Sequence, residues 1–414
     1  MKLIHIYIIN DGLAVVGLFE VLSMELLKAI GRFFIHPVTY TTLVVALFLG
    51  YFRVKRERYD FHTRVFDVIQ ELRFSSRGIL YGFAISIITV GLGLMLPFGT
   101  IVLITIITIL FMLTMKPRWL SAGYILGLSL LLVFVLPKMT TGILVLDELF
   151  LSIGTTNITT LAIVLAMLLF AEGLLISKQA SMQTSPQLWK SKRGLPVGAH
   201  DSKRIWLVPV FLFLPGEGFS ATVEWWPVFH VGGEAFTLWL VPFAIGFSQH
   251  VRTSFPDQTI RFTGRKVMLF AVIVTGLAIG SYWWAIVAVI AGFFAFIGRE
   301  AISYAARATD EKDSPIFVHR KEGLIVLGII PGTPAASTNV KVGEIILKVN
   351  GMSVSSVGDF YEALHKNRAF CKLQVVDENG ESRFVQRALY EGEHHELGFL
   401  FVQEGRKWDK EKIV

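Results

Sequence analysis

Apolar runs of about 16 to 20 residues, divided by short polar stretches, constrain this chain more than any other feature. At about 1.5 Å of rise per residue, such a run crosses ~30 Å of hydrocarbon as a helix. The firm runs are Phe34–Phe52, Gly78–Leu96, Phe98–Met115, Trp119–Leu136, Ile158–Ser177, Val267–Gly280 and Trp283–Gly298. Ile205–Gly218 and Gly233–Gln249 are weaker. Only 17% of the 414 residues are charged and 53% are hydrophobic, whereas soluble domains carry about 25% charge. A bilayer is the solvent that accepts this excess.

Basic residues fix the orientation, because Lys and Arg are retained on the cytoplasmic side. Loops 53–77, 116–118, 178–204 and 250–266 hold seven, two, six and four of them. The opposite loops hold Lys138 alone, and Lys28 and Arg32 fall on the wrong side. The balance is 19 against three, which leaves the C-terminus in the cytoplasm. Since loops 178–204 and 250–266 are both basic, the weaker pair between them crosses twice or not at all. Nine spans are expected, with seven as the fallback. The net charge of +7 lies in these loops, so topology accounts for it and nucleic acid is not implied.

Within the spans, Gly78/Gly82, Gly123/Gly127 and Gly276/Gly280 have the spacing that lets helix backbones approach, within the bundle or in a homo-oligomer. Trp225, Trp226, Trp239, Trp283 and Trp284 suit interfacial belts. Glu172 is the one acid well inside a firm span, and an intramembrane acid raises the alternative of transport. Residues 1–23 carry Asn10, Asp11 and Glu20 with no basic n-region, and Met24 offers a second start, so they read as an extension. Residues 24–34 are amphipathic and suit the membrane surface.

After Arg299 the pattern changes. A polar linker (304–313) is expected up to Asp313-Ser314-Pro315, then a small β-rich domain (314–405) and a charged tail (406–414). Ile316–His319, Gly323–Ile330, Ile345–Val349, Cys371–Asp377 and Ser382–Ala388 alternate as strands do, Asn350-Gly351 marks a hairpin, and Ser356–Asn367 is helical. Gly323-Leu-Ile-Val-Leu-Gly-Ile-Ile-Pro331-Gly-Thr-Pro-Ala335, then Val342-Gly-Glu344 and Asn350-Gly351, resemble a bacterial PDZ domain. Asn339-Val340-Lys341 and Glu344 depart from that family's usual turn. The fold expected is therefore a multi-span α-helical membrane bundle followed by a small α+β PDZ domain.

A PDZ domain captures a peptide as an added strand between a sheet edge and a helix. The helix wall falls on Val357, Phe360, Tyr361, Leu364 and His365. Two placements stand for the strand: Ile316, Phe317 and Val318, if the domain is permuted so that the groove strand comes early, or Leu397-Gly398-Phe399, which has the form of a carboxylate loop and equally that of a closing strand. The chain's own end, Ile413-Val414, is apolar enough to occupy such a groove. His394 and His395 read as a solvated loop rather than a metal site.

Enzyme readings fail on their motifs. A metalloprotease needs His-Glu-x-x-His on a helix, but after His395-Glu396 the second histidine position holds Phe399. Gly218-Phe-Ser220-Ala221 lacks the last glycine of a rhomboid-type serine site. No P-loop or dinucleotide fingerprint occurs, so no cofactor is expected.

Several stretches across the chain resemble the MinJ family of cell-division topology proteins of Bacillus-type bacteria. They are Phe33-Phe-Ile-His36-Pro37, Lys55-Arg-Glu-Arg58-Tyr-Asp60-Phe-His62, Gln70-Glu-Leu-Arg-Phe74, Asp313-Ser-Pro-Ile-Phe-Val318, Phe360-Tyr-Glu-Ala-Leu364 and Tyr390-Glu-Gly-Glu-His-His-Glu-Leu-Gly398. The resemblance covers nearly everything after Met24. It implies a multi-pass cell-membrane scaffold, enriched at septa and poles, that links a DivIVA-like polar scaffold to a MinD-like division inhibitor. Loop 53–77, with seven basic and four acidic residues, is a second candidate docking surface or a helix lying on anionic lipid. A PDZ-regulated transporter or signalling protein, or a regulatory subunit of a membrane protease, are the alternatives.

Overall fold

A computed structural model describes residues 23–191, 193–220, 227–228, 235–367, 369–390 and 397–402. Expectations concerning residues 1–22, Trp225, Trp226, His394, His395 and the end Ile413-Val414 lie outside the described residues.

The N-terminal region is helical. A first helix (α1, 23–35) leads to α2 (Pro37–Phe61), which His36 and Pro37 open and His62 closes in the left-handed conformation. Then come α3 (Gln70–Ser76), α4 (Gly78–Leu92), α5 (Phe98–Leu113), α6 (Ala122–Val135), α7 (Leu144–Gly154), α8 (Ile158–Leu175), α9 (Pro256–Gly280) and α10 (Ile286–Lys312). Among the described residues, five helical segments are long and apolar enough to cross a membrane: Pro37–Phe61, Gln70–Leu92, Ile158–Ala180, Pro256–Gly280 and Ile286–Lys312. Phe98–Leu113 and Ala122–Lys138 are shorter apolar helices.

The two weaker segments are not helices, which corrects the expectation of nine helical spans. They form the hairpin β2 (Pro196–Ser220) and β3 (Ala235–Val251), paired antiparallel from His200↔Val251 to Ser220↔Ala235. Below it, β1 (Ser185–Lys190) adds to β2. The hairpin runs along the bundle, since Phe213 bridges Met95 just beyond the far end of α4. Two facts explain why strands win here. Pro209 and Pro242, each a helix breaker, stand directly opposite one another in the ladder, where neither has an N–H to leave orphaned. The outer edge of β2 is then satisfied by α4: Phe211 N donates to Ser86 Oγ (2.9 Å), and Thr89 Oγ1 donates to Phe211 O (2.6 Å). Apolar surroundings demand such pairing of every backbone group.

Gly78 and Gly82 permit this approach. A Cβ at Gly78 would lie 2.5 Å from Leu207 O, and one at Gly82 would collide with Pro209 O. Gly123 and Gly127 pack on α10, whereas a Cβ at Gly276 would meet nothing within 4 Å. Arg32, on the unexpected side by charge, donates to Leu238 O of β3 (2.8 Å), and its neighbour Lys28 is paired to Glu25 (2.8 Å), so both cations are held locally. Glu172 is equally committed. Its Oε1 accepts from Arg299 Nε (2.7 Å), and its Oε2 from Ser121 Oγ (2.7 Å) and Ala122 N (3.0 Å) at the start of α6.

The expected linker is also corrected. α10 continues through Lys312, because residues 301–308 are good helix formers and no breaker precedes Asp313-Ser314-Pro315. Asp310 accepts from Arg252 N (2.7 Å) and anchors this extension to the end of β3.

The C-terminal domain holds β4 (Leu324–Ile329), β5 (Ile345–Val349), β6 (Met352–Ser353), α11 (Val357–His365), β7 (Phe370–Val376), β8 (Ser382–Ala388) and β9 (Phe399–Phe401). The sheet order is β8-β7-β5-β4-β9, with β6 on β5. Asn350 and Gly351 turn the β5–β6 hairpin, both with positive φ (50° and 86°) as a type I′ turn requires. Phe360, Ala363 and Leu364 of α11 enter the same core as Val326, Ile346 and Phe401.

This domain is seated on the helical region. Gly198 N donates to Phe317 O (2.7 Å), the buried His200 places Nε2 2.8 Å from Leu327 O, and Leu188 packs with Phe317, Leu327 and Val402. Leu400 meets Val65 and Phe66, just beyond α2.

Candidate peptide-binding groove

The geometry of the groove begins with a helix cap. Ser356 Oγ accepts from Asp359 N (3.1 Å), and Asp359 accepts in return from Ser356 N (2.9 Å), a reciprocal box that fixes the start of α11. Hydrogen bonds from Ser355 and Ser356 hold the exposed Asp359 carboxyl down at about 2. Asn350 then clamps the helix to the sheet: Nδ2 donates to Ala363 O (3.1 Å), and Oδ1 accepts from Lys372 N (2.9 Å).

Facing α11 is β9. Phe360 lies edge-on to Phe399, with ring centroids 6.2 Å apart, and 5.2 Å from Phe401. The loop before β9 turns on Gly398, whose φ is +97° and where a Cβ would overlap the Thr333 side chain. Its neighbours are pinned: Ala335 N donates to Leu397 O (2.8 Å), and Ile330 N to Gly398 O (2.9 Å). The second bond brackets the pair Ile329↔Phe399, so the N–H and C=O of Phe399 point away from β4, towards the outer edge. β9 ends the sheet. An edge strand beside a helix, with main-chain polar groups turned outward, is the geometry by which a peptide adds as a further strand.

Of the two placements read from the sequence, Leu397, Gly398 and Phe399 lead into and begin the strand that faces α11. Ile316, Phe317 and Val318 lie elsewhere, at the junction with the helical region, where Val318 makes a single bridge to Val197 and Phe317 is fully buried. They form no groove strand because their polar groups and rings are used by β2: Phe317 O accepts from Gly198, and its ring lies 5.2 Å from His200. On α11 the expected wall divides. Phe360 and Leu364 are fully buried and build the core. Val357, Tyr361 and His365, at successive four-residue steps, form the outer stripe and are half-buried or exposed.

Thr333, which shapes the Gly398 turn, and Val65 and Phe66, which flank Leu400, were not legible from motifs. The Pro331–Ala335 turn hinted at the first; nothing in the sequence tied residues 65 and 66 to a domain more than 300 residues away. Among the described residues, no group of three His, Cys, Asp or Glu could hold a metal ion. Burial pushes the Cys371 thiol up to about 12, which keeps it protonated and inert.

The PDZ domain family matches residues 306–364, from the end of α10 through α11. The cell division topological determinant MinJ of Bacillus subtilis (strain 168) is 42% identical over 395 residues, 93% of this chain and 97% of that protein. Probable cell division topological determinants MinJ of Lacticaseibacillus paracasei and Lacticaseibacillus casei (strain BD-II) are each 32% identical over 83 residues, 20% of this chain and 23% of theirs. No solved structure matches the chain.

Proposed function

Because the chain belongs to the MinJ family of cell division topological determinants, we propose that it is a noncatalytic membrane scaffold that positions the division septum. Its PDZ domain faces the cytoplasm and docks a division protein along the outer edge of β9, beside the stripe Val357–Tyr361–His365. A second contact completes a bridge between a DivIVA-like polar scaffold and a MinD-like inhibitor, so the protein concentrates at septa and poles. The near-full-length identity to a division determinant carries this reading. The geometry adds a strand that ends the described sheet beside α11 and packs against Val65 and Phe66. Glu172, on which a transport reading leaned, has both carboxylate oxygens occupied by protein donors.

The test is a deletion strain complemented with the wild-type gene or with Tyr361→Asp. Misplaced septa and a dispersed MinD-like protein, restored only by the wild type, are the expected outcome. Normal septum placement in the deletion would overturn the proposal. A reporter fused after Val414 that lies outside the cell would overturn its sidedness.

A further inference from the structure

A charged cavity of about 310 Å³ lies between the end of α2 and the foot of the β2 strand, apart from the groove. Arg53, Arg56, Lys203 and Arg204 converge on it, and Glu71 and Asp201 are the acids in its wall. Both acids are already shared. Glu71 pairs with Arg53 and with Arg204 (2.6 Å); Asp201 pairs with Arg56 (2.8 Å) and Lys203 (3.1 Å). Glu57 stands 3.6 Å from Arg53 Nε, but its oxygens serve Ser185 Oγ and the amides of Val65 and Phe66. Four cations therefore face three carboxylates, and one positive charge is left over.

The donors tell the same story. The side chains of Arg53 and Arg204 are only 7% and 2% exposed, yet their Nε atoms, and that of Arg56, lack a hydrogen-bond acceptor. A buried donor left unpaired costs about 1–3 kcal/mol, so the guanidinium groups around the cavity hold more donor capacity than the protein satisfies. One acceptor, Glu71 Oε2, lacks a donor in turn. The remaining wall is apolar, with Leu49, Phe52 and Met115. Phe52 is about half exposed on the α2 surface it shares with Phe48, whose ring stacks on it at 6.3 Å. These residues end the apolar part of a membrane-capable helix, the depth at which a lipid phosphate stands.

We propose that this cavity binds a phosphoryl anion, the phosphodiester of an anionic phospholipid whose acyl chains run along Leu49 and Phe52. A phosphodiester carries the single negative charge that is missing and offers oxygens to the cationic side chains that line the cavity. A phosphoglycerol headgroup also has hydroxyls that can donate to the carboxylates in the wall, Glu71 and Asp201. Free phosphate shares the anion but neither the hydroxyls nor the apolar tail.

The experiment uses the full chain, purified in detergent and stripped of lipid, with native mass spectrometry after addition of phosphatidylglycerol, phosphatidylcholine or inorganic phosphate. The wild type should retain phosphatidylglycerol in preference to phosphatidylcholine. The double variant Arg56→Gln/Lys203→Gln should lose that retention by about tenfold or more, as expected for charge-assisted hydrogen bonds of roughly 1.5–3 kcal/mol. The single variant Lys203→Arg should keep it, which separates loss of charge from loss of fold. Equal retention of the two lipids by the wild type, or unchanged retention by the double variant, would overturn the proposal. Inorganic phosphate that competes the lipid off would assign the site to the free anion.

Discussion

His200 sits at the seam between the two regions and has no room for a second proton. Its Nε2 lies 2.8 Å from Leu327 O and its Nδ1 2.9 Å from Thr184 Oγ1, an arrangement that a neutral ring satisfies at both nitrogens. Burial lowers its pKa from 6.5 to about 4, and the hydrogen bonds and the neighbouring Asp201 only partly offset this. Asp201 is itself held by Arg56 and Lys203, and His250 adds a further unfavourable charge when protonated. A state in which the seam opens exposes the ring, which then takes up a proton near 6.5. Stability of the seam is therefore complete above pH ~6.5, falls as the pH drops, and levels off below pH ~4, where the closed state protonates too. At ~1.4 kcal/mol per pH unit the full loss is about 3 kcal/mol. Amide exchange of residues 197–200 and 324–328, measured by mass spectrometry from pH 7.5 to pH 4.5 and corrected for intrinsic rates, reads this opening directly. His200→Gln, which keeps a donor for Leu327 O and does not titrate, should start less protected but lose little with acid. Parallel wild-type and variant profiles would refute the reasoning.

Arg299→Gln leaves Glu172 buried without its cation, at a cost of about 3–5 kcal/mol; thermal melting of the purified chain should show it, and Glu172→Gln/Arg299→Gln should recover part of the loss. Gly398→Ala forces a side chain into left-handed backbone and onto Thr333, costing about 1–3 kcal/mol; exchange protection should fall in β4 and β9 while α8 is unchanged. Gly82→Val drives a branched side chain into Pro209 O, so α4 must separate from β2, and the protein should be recovered at a lower yield with a lower melting temperature. Tyr361→Asp removes a half-buried ring that packs edge-on to Phe360 at 5.4 Å, so melting should fall by about 1–2 kcal/mol with the domain still folded, while docking of the proposed division partner is lost.

The helices were legible because hydropathy and length decide them almost alone. Each firm run became a helix, and basic residues ended most of them. The hairpin was misread for a physical reason: strands enclosed by helices are apolar on both faces, so residues 205–214 lack the alternation that marks a half-buried strand. Pro209 and Pro242 were the usable signal, since a helix tolerates neither in its interior. In the C-terminal domain, Asn350-Gly351 and the Ser356 cap were readable because turn and cap chemistry is local. The groove was only half readable. Phe360 and Leu364 share a helix with Tyr361 and His365, but which side faces the core depends on β9, which arrives more than 30 residues later. Ile316–Val318 has the composition of a strand, and only its burial against β2 shows that it belongs to the seam.

The same strand that crosses the bundle also carries the seam, and this bears on how the protein works. β2 offers Val197, Gly198 and His200 to the C-terminal domain and pairs Phe213 with Met95 at the other end. At ~3.3 Å per residue the stretch between His200 and Phe213 covers roughly 40 Å without a break. A flexible tether would let a docking module sweep a wide volume. Here α10 is tied at Asp310 to Arg252 in its last turn, and β2 bonds the segment that follows through Gly198 N and Phe317 O. Two connections tie the C-terminal domain to the helical region. If β9 docks a partner as proposed, a fixed edge would limit it to partners that approach from one side, and Val65 and Phe66 beside Leu400 would narrow that approach further.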